Sequence, residues 1–515
     1  MPPLRLSCLV LTVFYLTGPL LIVSELFKPV FAVPVILLFL LWVPLTFSSR
    51  FRPEATERPR PTILSLAAGL FALALSFVWV FFSGIGSYAL CRWDYVKHNM
   101  LFSYLLDQRL PINIALDGKD YILHYSSAYY ITPVRLYQSL AWLVPDVSLN
   151  FILLIMYSAA LFLSFRLLAG RRPVFLLALL AVASLSGGLD LLGMVATGVA
   201  PESAPVPSLD IRILYNLEWW GVPFAPQSLT MNLFYAPQHF FGALIGTALL
   251  CASLRSDQPL AVSLVEVVII IAASVFWSPY VAVGLAVLAV VLLFGLDEQG
   301  TFFRRMKQEG FAALLPLCGL VSGAFAIALT LAGGLFLTAA VSLSPPRFLV
   351  SAAKVLPWSL TYAMNYAPLL VALAFASWPG AWKVGYTDAL GNPERRRRMV
   401  RLLAAGLGAS AALLLVTHGL YNDWAMRATL PLSIALAVVL THVLLGGLAW
   451  PYLAVLLTVL VVSSASSLTA FVQSAFMPTH CQSYGRHNLK DMGELKSQYV
   501  GGSDSFLYRY FVRSR

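Results

Sequence analysis

The stretch PTILSLAAGLFALALSFVWVFF, residues 61–82, runs without one charged side chain. As an α-helix at about 1.5 Å per residue it reaches about 30 Å, the thickness of a bilayer's hydrocarbon core. Inside lipid every backbone N–H and C=O needs a partner in the protein, and a helix supplies all of them. Comparable runs recur along the 515 residues, which are 59% hydrophobic and 11% charged. A soluble domain carries about 25% charged residues. The mean hydropathy is +0.80. The sequence therefore predicts an all-α polytopic membrane protein.

The hydrophobic pattern predicts about thirteen transmembrane helices. They lie near 6–24, 30–47, 62–84, 148–169, 174–195, 237–254, 260–277, 279–295, 311–333, 362–379, 401–417, 428–446 and 450–472. Residues 310–340 are long for one span, and 342–361 leave room for an interfacial helix. The first run follows Arg5 and has no small-residue cleavage site after it, so it reads as a retained helix. Residues 1–472 then form one multi-span domain, followed by a tail over 473–515.

Dense Arg and Lys occur in SSRFRPEATERPRP, GRRP, FFRRMKQEG and NPERRRRMV. The positive-inside rule places these loops in the cytoplasm, and alternation of the spans agrees. The N-terminus is then cytoplasmic and the tail exoplasmic. The long segments 85–147, 196–236, 334–361, the short 418–427 and the tail all fall outside. The net charge of +11 sits largely in cytoplasmic loops. No basic, aromatic-interleaved module argues for nucleic acid.

Several chemistries lack their motifs. Walker A and GxGxxG sequences are missing, as are a GxSxG elbow and HExxH. The five cysteines have no CxxC spacing, so no cofactor or metal is implied. Asp94, His98, Asp190, Glu218 and His239 include cation-binding side chains, but their spacing matches no metal motif. Cys91 and Cys481 are the cysteines in outer segments. An oxidising compartment would allow a disulfide from the first loop to the tail.

The outer segments hold the polar residues. CRWDYVKHN, residues 91–99, opens the first loop. Asp94 and His98 are four apart and share a face of a helix. Either they are a solvated surface cluster, or Asp94 is a carboxylate placed to take a proton from a substrate hydroxyl, with His98 assisting. The following MLFSYLL reads as a helix lying along the membrane surface. Tyr129 lies in a Tyr- and Ser-rich stretch whose rings suit sugars or lipid headgroups, or serve as interfacial anchors.

Asp190 interrupts an apolar run near its outer end, where an ionisable residue marks function by default. Glu218 beside Trp219 and Trp220 combines a carboxylate with large aromatic faces. Gln238 and His239 sit where the chain re-enters the membrane. Asp423 and Arg427 are four apart at the mouth of a later span. Arg427 either grips a phosphate or carboxylate, or pairs with Asp423. Glu266 lies deep in a span with no evident role.

This layout resembles the GT-C superfamily of membrane glycosyltransferases. Its carriers are the long outer loop with Asp94 near its start, the surface helices after it, Arg427 in YNDWAMR, and the phrases SGGLDLLG, EWW, PQH and WSPY. The set is also similar to that of uncharacterised bacterial membrane proteins of this kind. In the superfamily the long loop follows the first span. Here it follows the third, as two additional N-terminal spans would require.

The resemblance implies inverting transfer of a sugar from a polyprenyl-phosphate donor to a glycan, lipid or protein acceptor. It places this at the periplasmic face of a bacterial inner membrane. Asp94 would be the general base and Arg427 would neutralise the departing phosphate, with Lys97 or Arg135 as lesser candidates. Asp190, Glu218, Trp219, Trp220, Gln238, His239, Tyr129 and Asp423 would line the pocket. Two other functions fit the composition: a polymerase or ligase using lipid-linked oligosaccharides, and a transporter or flippase without chemistry. A transporter would show inverted repeats and broken helices. The sequence has no internal repeat, and its polar residues gather on one side.

Overall fold

The computed structural model describes residues 4–50, 62–89, 94–116, 119–123, 125, 127–197, 227–255, 260–296, 347–348, 352–383, 393–417, 423–476 and 500–502. The chain begins with α1 (Leu4–Leu26), α2 (Pro29–Arg50) and α3 (Ile63–Phe82). The first outer loop holds α4 (Asp94–Asp107), β1 (Asn113–Leu116), β2 (Lys119–Leu123) and α5 (Ala128–Leu140). Next come α6 (Leu149–Ala169), α7 (Pro173–Leu185), α8 (Asp190–Thr197), α9 (Leu229–Tyr235), α10 (Pro237–Leu254), α11 (Leu260–Trp277) and α12 (Pro279–Leu296). After β3 (Arg347–Phe348) follow α13 (Ala352–Asn365), α14 (Ala367–Ser377), α15 (Pro393–Leu414) and β4 (Val416–Thr417). The last described elements are α16 (Asp423–Ala428), α17 (Leu430–Leu445), α18 (Trp450–Ser463), α19 (Ala465–Phe476) and β5 (Val500–Gly502).

Among the described residues, five helices are long and apolar enough to cross a membrane: α1, α3, α6, the Pro173–Val195 run through α7 and α8, and α10. Two bent pairs, α13 with α14 and α18 with α19, bring the number to seven if each is one span. Shorter apolar helices occupy Pro29–Leu40, Val262–Trp277, Pro279–Leu293 and Leu430–Leu445. The fold is that of a multi-pass α-helical membrane protein. The span expected at 311–333 lies outside the described residues.

Helix α10 is the axis of the bundle and is buried almost throughout. It packs on α6, α11, α12, α17 and α1. Tyr15 of α1 stacks on Trp277 at 5.5 Å between ring centroids, and the Trp277 Nε1–H donates to the Tyr15 carbonyl at 3.0 Å. Helix α3 lies at the rim. Its Ile63, Leu64, Leu70 and Phe71 are exposed, an apolar surface of the kind that faces lipid.

Segments distant in sequence converge. β1 and β2 form an antiparallel hairpin, and β5 adds to β2 with Leu123 opposite Val500. The tail is thereby joined to the first long loop through backbone pairing. Cys91 and Cys481, between which an oxidising compartment would allow a disulfide, lie outside the described residues. β3 pairs with β4.

Three runs read in the sequence as continuous spans are interrupted. α7 stops after 13 residues, α14 has 11 and α18 has 14. At 1.5 Å per residue these reach only about 16–21 Å, short of the hydrocarbon thickness. The axis turns by 71° between α13 and α14 and by 42° between α18 and α19. The three interruptions touch. The Leu189 N–H donates to the Met364 carbonyl at 2.9 Å. A Cβ on Gly187 would sit 2.9 Å from the Ser463 carbonyl oxygen, and one on Gly188 would sit 2.8 Å from Asn365 Cα. Two glycines in sequence let three backbones meet where side chains would hold them apart.

The first loop is riveted to α1. Arg135 of α5 donates from Nε and Nη2 to the two carboxylate oxygens of Glu25, both at 2.8 Å, and Glu25 also accepts the Leu110 N–H at 3.2 Å. This corrects one expectation. Arg135 is committed to a fork-on-fork pair and offers no grip for a phosphate. Because the pair is largely buried, loss of one partner strands a charge. Glu25→Ala should cost about 3 kcal/mol. In thermal unfolding in detergent, adding Arg135→Ala to Glu25→Ala should recover part of that loss, leaving the pair of changes less than additive.

Candidate functional site

Helix α4 begins at Asp94, whose side chain lies outside the described atoms. His98 is one turn further on and almost wholly buried. Its Nδ1 lies 2.7 Å from the Tyr130 hydroxyl and its Nε2 lies 3.2 Å from the Tyr235 carbonyl. A carbonyl only accepts, so Nε2 carries the proton; in the neutral ring Nδ1 accepts from Tyr130. His98 thus ties α4, α5 and the end of α9 together. With both ring nitrogens engaged, its geometry is that of a positioning residue.

The end of α9 leads directly into Pro237, Gln238 and His239 at the start of α10. His239 Nδ1 lies 2.7 Å from Ser278 Oγ, and that oxygen accepts the Val281 N–H at 3.3 Å, capping α12. Gln238 is fully buried. Its Nε2 donates to the Tyr125 hydroxyl at 3.0 Å, while its Oε1 has no partner. The charges of Arg427 and Lys97 act on the His239 ring. Tyr280, in turn, lies within the fields of Asp423, Tyr125 and Arg427.

Arg427 completes this group. It sits on α16, a helix of six residues that lies against α12. The approach depends on Gly284, because a Cβ there would collide with the Ala428 carbonyl. Arg427 is buried, and its Nη1 donates to Gln227 Oε1 at 3.0 Å and to Asn232 Oδ1 at 2.5 Å. The Asn232 amide is oriented by its own bonds. Its Nδ2 donates to the Gln227 and Ser228 carbonyls, both at 3.1 Å, so its oxygen must face Arg427. Asp423 Oδ1 comes only to 3.9 Å of Nε, which makes no hydrogen bond, and that carboxylate is one-third exposed.

Among the described residues this buried guanidinium is held by two neutral amides and has one carboxylate, Asp423, at the longer distance of 3.9 Å. Burying a charge without a close counter-ion is costly, and an arriving anion removes that cost. With Lys97 nearby, the group is suited to a phosphate or carboxylate, which Arg engages bidentately.

Asp190 belongs to a second group. It opens α8 at the interruption after α7 and is almost wholly buried, with Oδ2 accepting from Ser466 Oγ at 2.8 Å. A cavity of about 70 Å³ lies beside it, lined by residues that include Ser186, Gly188, Gln227, Asn365 and Ser433. Gln227 therefore touches both groups.

The remaining expected residues fall elsewhere. Tyr129 packs in an aromatic stack with Tyr157, 4.6 Å away, and its carbonyl accepts the Tyr157 hydroxyl; the structure does not bring its ring to Arg427. Glu218, Trp219 and Trp220 lie outside the described residues. Glu266 is fully buried on α11 and accepts from Ser253 Oγ, at the end of α10 remote from Arg427. No group of three or more His, Cys, Asp or Glu side chains able to hold a metal occurs among the described residues. Compared with family models, curated proteins and solved structures, the chain matches none.

Sequence reasoning did not single out Gln227, Asn232 and Asn365, which are neutral, nor Ser278 within WSPY or Tyr125 within the Tyr- and Ser-rich stretch. The balance at Arg427 can be measured. Gln227→Glu would place a carboxylate at hydrogen-bond distance of Arg427, closer than Asp423. It should raise the melting temperature in detergent without added anions and abolish the stabilisation by inorganic pyrophosphate expected for the wild type.

Proposed function

We propose that this protein is a glycosyltransferase of the GT-C type, with about thirteen spans in a bacterial inner membrane. The N-terminus is cytoplasmic, and the site and C-terminal tail are periplasmic. The donor is a polyprenyl-phosphate sugar and the acceptor is a hydroxyl of a glycan, lipid or protein. The observation that carries the reading is Arg427, buried and held by Gln227 and Asn232 with no carboxylate in hydrogen-bond contact. A phosphate on a lipid chain can reach such a group laterally through the bilayer.

In the proposed reaction the acceptor oxygen bonds to the anomeric carbon as the bond from that carbon to the phosphate oxygen breaks. The acceptor's proton passes to Asp94, and the electron pair leaves with polyprenyl phosphate. Arg427 and Lys97 stabilise the developing negative charge, which should be a large part of the rate effect. His98 and His239 keep α4, α10 and α12 in register around the reacting groups. Glu218, Trp219, Trp220, Gln238 and Asp423 complete the pocket in this reading.

The interrupted helices favour one competing reading, a transporter or flippase, since broken spans are common in transport proteins. A glycan polymerase or ligase would share the donor chemistry but move whole lipid-linked oligosaccharides. Detergent-solubilised protein separates the first two, because without two compartments only an enzyme yields product. Purified wild type incubated with polyprenyl-phosphate sugars and a mixture of envelope glycolipids should release free polyprenyl phosphate. Asp94→Asn should reduce that release by at least about 100-fold at an unchanged melting temperature. Full activity in this variant would exclude Asp94 as the base.

A further inference from the structure

The cavity beside Asp190 has no part in neutralising a phosphate, yet it is built with care. Irregular backbone at membrane depth persists only where protein covers it or where it lines a cavity. Here two interruptions, at Ser186–Leu189 and Tyr366, line one space, and the third, at Ser464, touches the first through the Ser463 carbonyl. Its volume of about 70 Å³ is several times the 10–15 Å³ or so that one water needs.

The lining mixes two kinds of group. Ser186, Gln227, Ser228, Asn365 and Ser433 bring hydroxyl and amide groups. Leu229, Leu369, Ala437 and Leu440 bring apolar surface. Two amides are pre-oriented by bonds outside the cavity. Gln227 gives its Oε1 to Arg427 Nη1 at 3.0 Å, which leaves its Nε2 as a donor. Asn365 gives its Nδ2 to the Thr361 carbonyl at 2.9 Å, which leaves its Oδ1 as an acceptor beside Gly188. Asp190 stands behind Gly188, where a Cβ would come within 3.0 Å of its Oδ1. The Tyr366 side chain, also at the cavity, is buried. Among the described lining residues none is basic.

An oriented amide donor, an oriented amide acceptor and hydroxyls interspersed with apolar side chains match a hydroxylated ring, which presents O–H groups at its edge and C–H groups on its faces. We propose that this cavity binds the sugar of the lipid-linked substrate, with Gln227 joining it to the phosphate group at Arg427. Asn365 and Ser433 are then the residues that select the sugar, with Asp190 behind Gly188 supporting the wall. The assignment rests on the glycosyltransferase reading for the lipid-phosphate part of the ligand. The cavity itself requires only a neutral, hydroxyl-bearing ring.

The test compares two probes in nanodiscs: polyprenyl phosphate without a sugar, and a set of polyprenyl-phosphate monosaccharides. Affinities are read from ligand-induced shifts in melting temperature. Asn365→Ala and Ser433→Ala should weaken binding of at least one sugar-bearing lipid by about tenfold, the size of one lost hydrogen bond to a buried partner. Affinity for the sugar-free lipid should not change. Arg427→Ala should weaken both probes alike. Should Asp190→Asn fail to fold, the two lining variants carry the comparison alone, with size-exclusion profiles confirming their integrity.

Equal weakening of both probes by Asn365→Ala and Ser433→Ala, or no weakening of either, would overturn the cavity assignment. The outcome also separates the two proposals. A sugar-specific loss in a protein that never releases polyprenyl phosphate would keep the cavity and remove the enzyme. Release of polyprenyl phosphate without any sugar-specific loss would keep the enzyme and remove the cavity.

Discussion

Within a hydrocarbon slab every peptide group needs a partner in the protein. That constraint makes the chain helical, and it also makes each departure from helix informative. α7, α14 and α18 each end at a break in the regular helix, and the breaks touch one another. Leu189 reaches Met364, and Gly187 lies against the Ser463 carbonyl. One interruption could reflect a proline or a local misfit. Three that meet, with a buried carboxylate and a polar-walled cavity at the junction, define a place where the fold gives up regular hydrogen bonding for a binding surface.

The second constraint is charge. Arg427 is buried on a six-residue helix and oriented by two amides whose own bonds fix their direction. The comparison with Arg135 is instructive. Both are largely buried arginines. Arg135 lies flat on the Glu25 carboxylate with two bonds of 2.8 Å, so its charge is matched and it serves as a rivet. Arg427 has Asp423 only at 3.9 Å. The same residue type is therefore structural in one place and poised for an anion in the other, and the difference lies in what surrounds it.

Much of this was legible beforehand. Long apolar runs such as residues 61–82 announce helices in lipid. A helix over MLFSYLL follows from the hydropathy pattern, and the charges of Asp190 and Arg427 in apolar surroundings drew attention to two residues that the structure buries. The breaks were not legible at α14 and α18, because Asn365–Tyr366 and Ser463–Ser464 sit in apolar runs whose average hydropathy hides a short polar step. The amides were not legible either. Gln227, Asn232 and Asn365 gain their meaning only from the partners that fix their orientation, and those partners are distant in sequence. Arg135 was misjudged for the same reason, since Glu25 lies 110 positions away. The tail's return to β2 rests on three backbone pairs with no side-chain signature.

The central claim is that one lipid-linked sugar spans both groups, its phosphate at Arg427 and its ring beside Asp190. Cryo-electron microscopy of the protein in nanodiscs with a polyprenyl-phosphate monosaccharide tests it most directly. The account predicts phosphate density within hydrogen-bond reach of Arg427, sugar density against Asn365 and Ser433, and the hydrocarbon tail leaving sideways into the bilayer. Density for the lipid at another site, with Arg427 still bound only to Gln227 and Asn232 and the cavity beside Asp190 empty, would contradict it.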